Sequence, residues 1–355
     1  MYTDILVIGV AVDVMKTDIA SVSIIILNWN GWQDTLECLQ SVQKINYPNF
    51  RILVVDNGSS DGSVAQIRQA FPDVELLETG KNLGYAGGNN AGIAHALSEQ
   101  PAFVLLLNSD TVVDPDILNA FIDAASAYPA AGIFGAKSYY YSQPDIIWTL
   151  GGKWDRSATE IMFIGQGERD TGALCAQPFE VDYVIGCALF CRVEMVQKIG
   201  MMEEAFFLNF EEMDWCYRAR AAGYSSYAVP GAKLWHKVSV SFGGAESPLW
   251  KYFMIRNELL WARRHLSLRG RMRVAQKILR QLLPGFSLGE PGKYGFVQRL
   301  YWETTRYVRE INRRGHQPYY QAQLYGVMDY LCRRFGDCPS SVRKKLIAKP
   351  DEAAS

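Results

Sequence analysis

PAFVLLLNSDTVVD, residues 101 to 114, decides how the chain is read, because an apolar run stops abruptly on groups able to hold a metal. Phe103 to Leu107 is continuous and of strand length, the pattern of a parallel strand covered on both faces. Asn108, Ser109 and Asp110 fall at its carboxyl end, where open α/β sheets bind their ligands. A carboxylate beside an amide carbonyl and a hydroxyl offers the oxygen donors that a hard divalent cation takes. The triplet is equally good capping chemistry for the helix that Pro115 would open, and alone it does not separate the two readings.

The flanking sequence repeats the pattern. Val22 to Leu27 reads as a first buried strand ending on Asn28-Trp29-Asn30-Gly31, followed by a helix through Leu36, Leu39 and Val42. Phe50 to Val55 is a second strand, and it too ends on polar residues, Asp56 to Ser63. A short helix (Val64 to Phe71) and a third strand (Val74 to Leu77) follow, which is the βαβ alternation of a doubly wound sheet. KNLGYAGGNNAG, residues 81 to 92, opens a helix running to about Ser98. Such a loop brings backbone N–H groups and a helix N-terminus to a phosphate or sugar, or is simply a turn needing positive φ. Its spacing is not the dinucleotide GxGxxG.

Beyond the triplet we expect a helix (Asp116 to Tyr128), a strand (Ile133 to Lys137) and an irregular aromatic region from Tyr139 to about Val181. Tyr139, Tyr140, Tyr141, Trp148 and Trp154 would line an acceptor groove or fill the core. Gly186 to Arg192 reads as a glycine turn and short strand, before a helix ending at Gly200. Phe206 to Phe210 then leads into Glu211, Glu212 and Asp214 at the start of another helix. Acids suit a helix's first turn through its dipole, but three beside an apolar run also raise one another's pKa, as a general base requires. Leu234-Trp235-His236 ends a further strand, with Ser239 and Ser241 close by.

Apolar residues make up 49% of the 355 and charged residues 21%, ordinary values for a globular protein. The seven cysteines are scattered without a CxxC pair, which argues against zinc and for a reducing compartment. No stretch reaches membrane-spanning length, and residues 1–16 carry acids at Asp4 and Asp13 and no basic n-region, unlike a signal peptide. Charge is divided unevenly: residues 1–245 hold 15 Lys and Arg against 28 Asp and Glu, whereas residues 246–355 hold 21 against 9. The basic part suits an anionic surface or is a solvated helical face. Within it, Trp250 to Phe253 interleaved with arginines through Arg273 reads as an interfacial amphipathic segment, Pro284 to Gly295 as a linker, and Val297 to Phe335 as helix.

VSIIILNWNG (22–31), VVDNGSSDGS (54–63), NLGYAGGNNAG (82–92), LLLNSD (105–110) and FFLNFEEMDWCYRARAAGY (206–224) occur in the order seen in family 2 glycosyltransferases, and the chain resembles their rhamnosyltransferase-like branch. The resemblance covers about 21–245. It implies an α/β fold of GT-A type, a Rossmann-like, mostly parallel sheet flanked by helices. To this are added an N-terminal extension (1–20) and a basic, mainly helical C-terminal region (246–355). By resemblance, Asn28, Asn30 and Asp56 take the nucleotide base, while Asp61, Asn82 and Gly84 hold the nucleoside or diphosphate beside Asn108 and Ser109. Asp110 becomes the principal ligand of Mg²⁺ or Mn²⁺, with His236 as a second; Asn108 stands where the family's metal motif usually has its first acid. Glu212 is the expected base, with Glu211 and Asp214 as the other candidates, and Gly186, Trp215 and Arg218 are expected at the acceptor.

The implied reaction is metal-dependent, inverting transfer of a sugar such as rhamnose from dTDP-rhamnose to a glycan or lipid-linked acceptor of the cell envelope. The implied place is cytoplasmic, against the inner face of the membrane, with anionic lipid as a partner and not nucleic acid. A sugar nucleotidyltransferase would show a Gly-rich loop with basic residues after the first strand, which Asn28 to Trp32 lacks. A catalytically silent binding module would have lost Asp110 or the acid cluster, and both are intact.

Overall fold

The computed structural model describes residues 19–172, 176–237, 247–283, 285 and 296–347. The N-terminal extension up to residue 18, Ser239, Ser241, and all of the expected linker but Gly285 lie outside the described residues.

Three uninterrupted apolar runs build the centre. Strands β1 (Val22–Asn28) and β4 (Phe103–Asn108) pair in parallel, and β1 pairs on its other side with β2 (Phe50–Asp56), which carries β3 (Glu75–Glu78) at the sheet edge. Ile24, Ile25, Ile26 and Val104 to Leu107 are all buried, as strands covered on both faces must be. Each such side chain contributes roughly 1.5–3 kcal/mol relative to exposure. Helices α1 (Trp32–Val42), α2 (Ser63–Ala70) and α3 (Gly84–Ala96) are the crossovers.

Register delivers the site. Asn28 lies opposite Asp56, and Leu27 opposite Asn108, so the carboxyl ends of three strands open together. After Asn108 the chain turns into a short strand, β5 (Thr111–Val113), before α4 (Ile117–Ala127). The Asn-Ser-Asp triplet therefore does not cap the helix after Pro115; Asp114 Oδ1 accepts from the Asp116 amide there instead.

The second half of the sheet is antiparallel about β11 (Ala188–Arg192), which pairs with β4 on one side and β6 (Ala131–Tyr140) on the other. Phe190 of β11 stacks on Phe103 and Phe121 with centroids 4.7 and 4.8 Å away. The region from Tyr139 onward is not irregular. It completes β6 and forms β7 (Gln143–Thr149), the hairpin β8 (Gly152–Asp155) and β9 (Glu160–Phe163), and β10 (Phe179–Val181). Most of its aromatics are packed: the Tyr139 hydroxyl donates to Asp170, Trp148 lies against His236, and Trp154 against Trp261.

Helices α5 (Val193–Ile199) and α6 (Glu211–Ala221) precede β12 (Ser225–His236), a long strand between β10 and β6. Its last residues pair antiparallel with β5, setting His236 opposite Thr111.

The C-terminal residues form α7 (Pro248–His265), α8 (Leu268–Leu282), α9 (Phe296–Gly315), α10 (Pro318–Leu331) and α11 (Ser340–Ile347). The interfacial reading of Trp250 to Arg256 does not survive: Tyr252, Phe253, Ile255 and Arg256 of α7 are buried between residues 205–210 and α10. Gly326 of α10 sits so close that a Cβ would lie 2.8 Å from the Tyr252 carbonyl oxygen. Among the described residues no helix is long and apolar enough to cross a membrane.

Candidate active site

At the ends of β1 and β2, one hydrogen-bonded set surrounds Asp56. Asn28 Nδ2 donates to Asp56 Oδ1 at 2.8 Å, and the Ser59 amide to Asp56 Oδ2 at 3.0 Å. The Thr35 hydroxyl donates to Asn28 Oδ1, which fixes how that amide is turned. Asn30, with φ of 52°, accepts from the Ser60 amide and ties the first loop to the second. Asp61 Oδ1 accepts from the Ser63 amide and hydroxyl, closing a turn before α2.

Asn57 belongs to the same network and was not singled out from sequence. It donates to the carbonyl of Gly84 and accepts from the Leu83 amide, while Asn82 Oδ1 accepts from the Gly84 amide. Gly84 is required: its φ is +75°, and a Cβ would lie 2.3 Å from the Phe207 carbonyl oxygen.

Asp110 and His236 are 126 residues apart and meet at 3.0 Å, Nε2 to Oδ1. Burial pushes the Asp110 carboxyl up, but the hydrogen bond and charge of His236 outweigh it and hold the group below the usual range. His236 Nδ1 is buried with no hydrogen-bond partner among the described residues. Asn108 and Ser109 are half-buried beside this pair. The donor set, one carboxylate oxygen and one imidazole nitrogen, fits Mg²⁺ or Mn²⁺ only where other oxygens complete the shell. Among the described residues no three His, Cys, Asp or Glu side chains gather as a metal cage.

The acid pair opens α6 after an unusual backbone. Phe207, Asn209 and Phe210 have φ of 65°, 66° and 76°, a conformation costing about 1–2 kcal/mol at each non-glycine residue. Glu211 and Glu212 are buried, and Oε2 of each meets no partner among the described residues. Burial drives the Glu211 carboxyl well above the usual range, with Glu212 adding repulsion. Burial also raises Glu212, against hydrogen bonds from its own backbone, the Tyr183 hydroxyl and Gly186. A side chain at Gly186 would displace both neighbours, since a Cβ would stand 2.5 Å from the Tyr85 hydroxyl and 2.9 Å from Glu212 Oε1.

Gly186 and Cys187 connect the Asp110–His236 pair to the acid pair, Gly186 lying against Glu212 and Cys187 against Asn108. The Asn108 amide donates to the Cys187 carbonyl, and the buried Cys187 thiol, pushed up to about 12 chiefly by burial, feels both Asp110 and Glu212.

Three expected residues are placed otherwise. Asp214 is fully buried and bonded to Arg218, Arg264 and His265; those partners, against burial, hold it low. Trp215 is enclosed in the core with its indole N–H on the Gly200 carbonyl, so it offers an acceptor no surface. Arg218 spends its donors on Asp214 and the carbonyls of Ile199 and Met201, which makes it a clip rather than an acceptor contact.

Residues 23–200 match the family model described as glycosyl transferase family 2. The chain belongs to that family. Among the relatives of this family 2 glycosyltransferase is the N-acetylglucosaminyl-diphospho-decaprenol L-rhamnosyltransferase of Mycobacterium tuberculosis, 31% identical over 217 residues, 54% of this chain and 68% of the relative. The dTDP-rhamnosyl transferase RfbF of Shigella flexneri is 23% identical over 256 residues, 68% of this chain and 79% of the relative. An uncharacterised Sinorhizobium fredii protein, y4gI, is 29% identical over 214 residues, but the match spans 23% of that protein's length and 57% of this chain. The solved mannosyltransferase PcManGT of Pyrobaculum calidifontis superimposes with a TM-score of 0.52 at 14% identity, covering 90% of this chain and 89% of that one. This last likeness shows the fold, GT-A.

The folded protein holds the Glu211 proton more tightly than the unfolded chain does, so its contribution to stability is full below the ordinary value of 4.5 and is lost as pH climbs through the raised one. Glu211→Gln should therefore match wild type near pH 4 and exceed it at pH 8, by a margin that grows as pH rises above the ordinary value. Urea unfolding at the two pH values checks this; a variant less stable than wild type at pH 8 would contradict it.

Proposed function

We propose that this enzyme is a metal-dependent, inverting sugar transferase with Glu212 as its base. The observation that carries the reading is a buried carboxyl with one oxygen held by Tyr183 and the other unpartnered among the described residues, beside Gly186, whose neighbour Cys187 accepts from the Asn108 amide. In this scheme Asn28, Asn30 and Asp56 seat the nucleoside, and the loop from Asp61 to Gly84 borders the diphosphate. Asp110 and His236 would hold Mg²⁺ or Mn²⁺ together with the donor's own oxygens. Such a cation stabilises negative charge on the departing diphosphate. PcManGT, solved with GDP-Man and Mn²⁺, supports that expectation.

Glu212 Oε2 takes the proton of the acceptor hydroxyl as that oxygen bonds to the anomeric carbon. The carbon's bond to the diphosphate oxygen breaks, with the electron pair leaving on the diphosphate. One displacement inverts the centre. Burial raises the affinity of Glu212 for the proton it is to accept. The two named relatives support rhamnose from dTDP-rhamnose as donor and a lipid-linked glycan of the cell envelope as acceptor.

A lipid-linked acceptor places the enzyme at the inner face of the membrane. Leu268, Met272 and Leu279 of α8, with Tyr301 and Trp302 of α9, are exposed among arginines, as interfacial helices require.

Incubating the protein with a nucleotide-sugar panel and a polyprenyl-diphosphate-linked sugar should give Mn²⁺-dependent nucleoside diphosphate release with one donor. Asp110→Ala and Glu212→Gln should each lower kcat at least about 100-fold. Undiminished turnover in Glu212→Gln would move the base to Glu211. Co-sedimentation with phosphatidylglycerol vesicles should fall about tenfold on Met272→Glu with Leu279→Glu; equal pelleting of the variant would remove the membrane claim.

A further inference from the structure

Arg256 is fully buried, yet among the described residues it meets no carboxylate directly. Its guanidinium lies over the rings of Tyr252 and Phe253, donates to the carbonyl of Phe206 at 2.9 Å, and passes from Nε to Asn257 Oδ1 at 3.0 Å. That contact fixes the Asn257 amide so that Nδ2 faces three carbonyls, those of Phe206, Leu208 and Asn209, at 2.8, 2.7 and 2.9 Å. Turning the amide over would set its oxygen against three oxygens. The Tyr252 hydroxyl carries the Arg256 charge one step further, accepting from Nη1 and donating to the buried Asp329.

The backbone carbonyls that Arg256 and Asn257 serve all lie in the segment whose left-handed residues, Phe207, Asn209 and Phe210, run straight into Glu211. On its other face the Phe207 carbonyl accepts from the Tyr85 amide of the glycine-rich loop. Left-handed phenylalanine and asparagine persist only where the surroundings over-determine them. Here α7 supplies that determination. We infer that Arg256 and Asn257 are positioning residues that clamp residues 205–210 and thereby set the acid pair against the donor loop. The C-terminal region would then complete the site, whatever its role at a membrane.

The inference rests on Glu212 as the base, so its test has one arm that needs no turnover. Asn257→Ala, and Arg256→Lys, which keeps the charge but loses the fork, should speed hydrogen exchange of amides 206–214 at least tenfold while the β1 and β4 amides keep wild-type rates. With donor and acceptor saturating, kcat should fall about 100-fold for Asn257→Ala, and less for Arg256→Lys, with the donor KM within threefold of wild type; misplacement of about 1 Å has that effect. If Asn257→Ala does not fold, Arg256→Lys carries the comparison. Wild-type exchange at 206–214, or wild-type kcat in a folded variant, would overturn the clamp. A wild-type enzyme inactive with every donor would count against the transferase reading, and exchange alone would then judge the clamp.

Discussion

Two carboxylates, Glu211 and Glu212, are buried side by side, and an environment that disfavours their charge is the constraint on which the rest of this site depends. A lone buried carboxylate would abandon its proton affinity to a nearby cation, as Asp214 does among Arg218, Arg264 and His265. Among the described residues the acid pair has no such partner; its neighbours are Tyr183, Tyr85 and the backbone of Gly186. Two turns of chemistry therefore coexist on one helix, with a proton-hungry pair at its start and a neutralised aspartate three residues on.

Holding that pair in place draws on the whole fold. The parallel half of the sheet sets Asn28, Asp56 and Asn108 in a row by register alone. The antiparallel half returns β11 beside β4, which brings Gly186 and Cys187 to the same edge, and β12 beside β5, which brings His236 to Asp110. Residues 205–210 are then caught between the glycine-rich loop and α7. The close approach at Gly84 and the carbonyl grip of Asn257 act on opposite sides of the same segment.

The parallel strands were legible because burial on both faces leaves an unbroken apolar run, as in IIIL and VLLL, and because polar loops ended each run in the same way. Asp56, Asp110 and the acid pair stood out in the sequence as polar residues following apolar ones, and the structure sets Asp110 against His236 and buries the two acids together. The strands of 139–181 were not, since their partners are distant or polar and their aromatics give no clean alternation. Trp215 and Arg218 were misjudged because a motif shows residue types but not which face of α6 looks inward. Asn57 and Asn257 left no distinct signal at all: an asparagine after a strand or inside a helix reads as a turn residue or a solvated one until the carbonyls it serves are in view.

The most direct measure of the account is the pH dependence of kcat at saturating donor, acceptor and metal. An acid limb set by a group above the ordinary glutamate range, and lost in Glu212→Gln, is the predicted result. A limb at the ordinary glutamate value of 4.5, or one unchanged in that variant, would contradict the assignment of a buried Glu212 as the base.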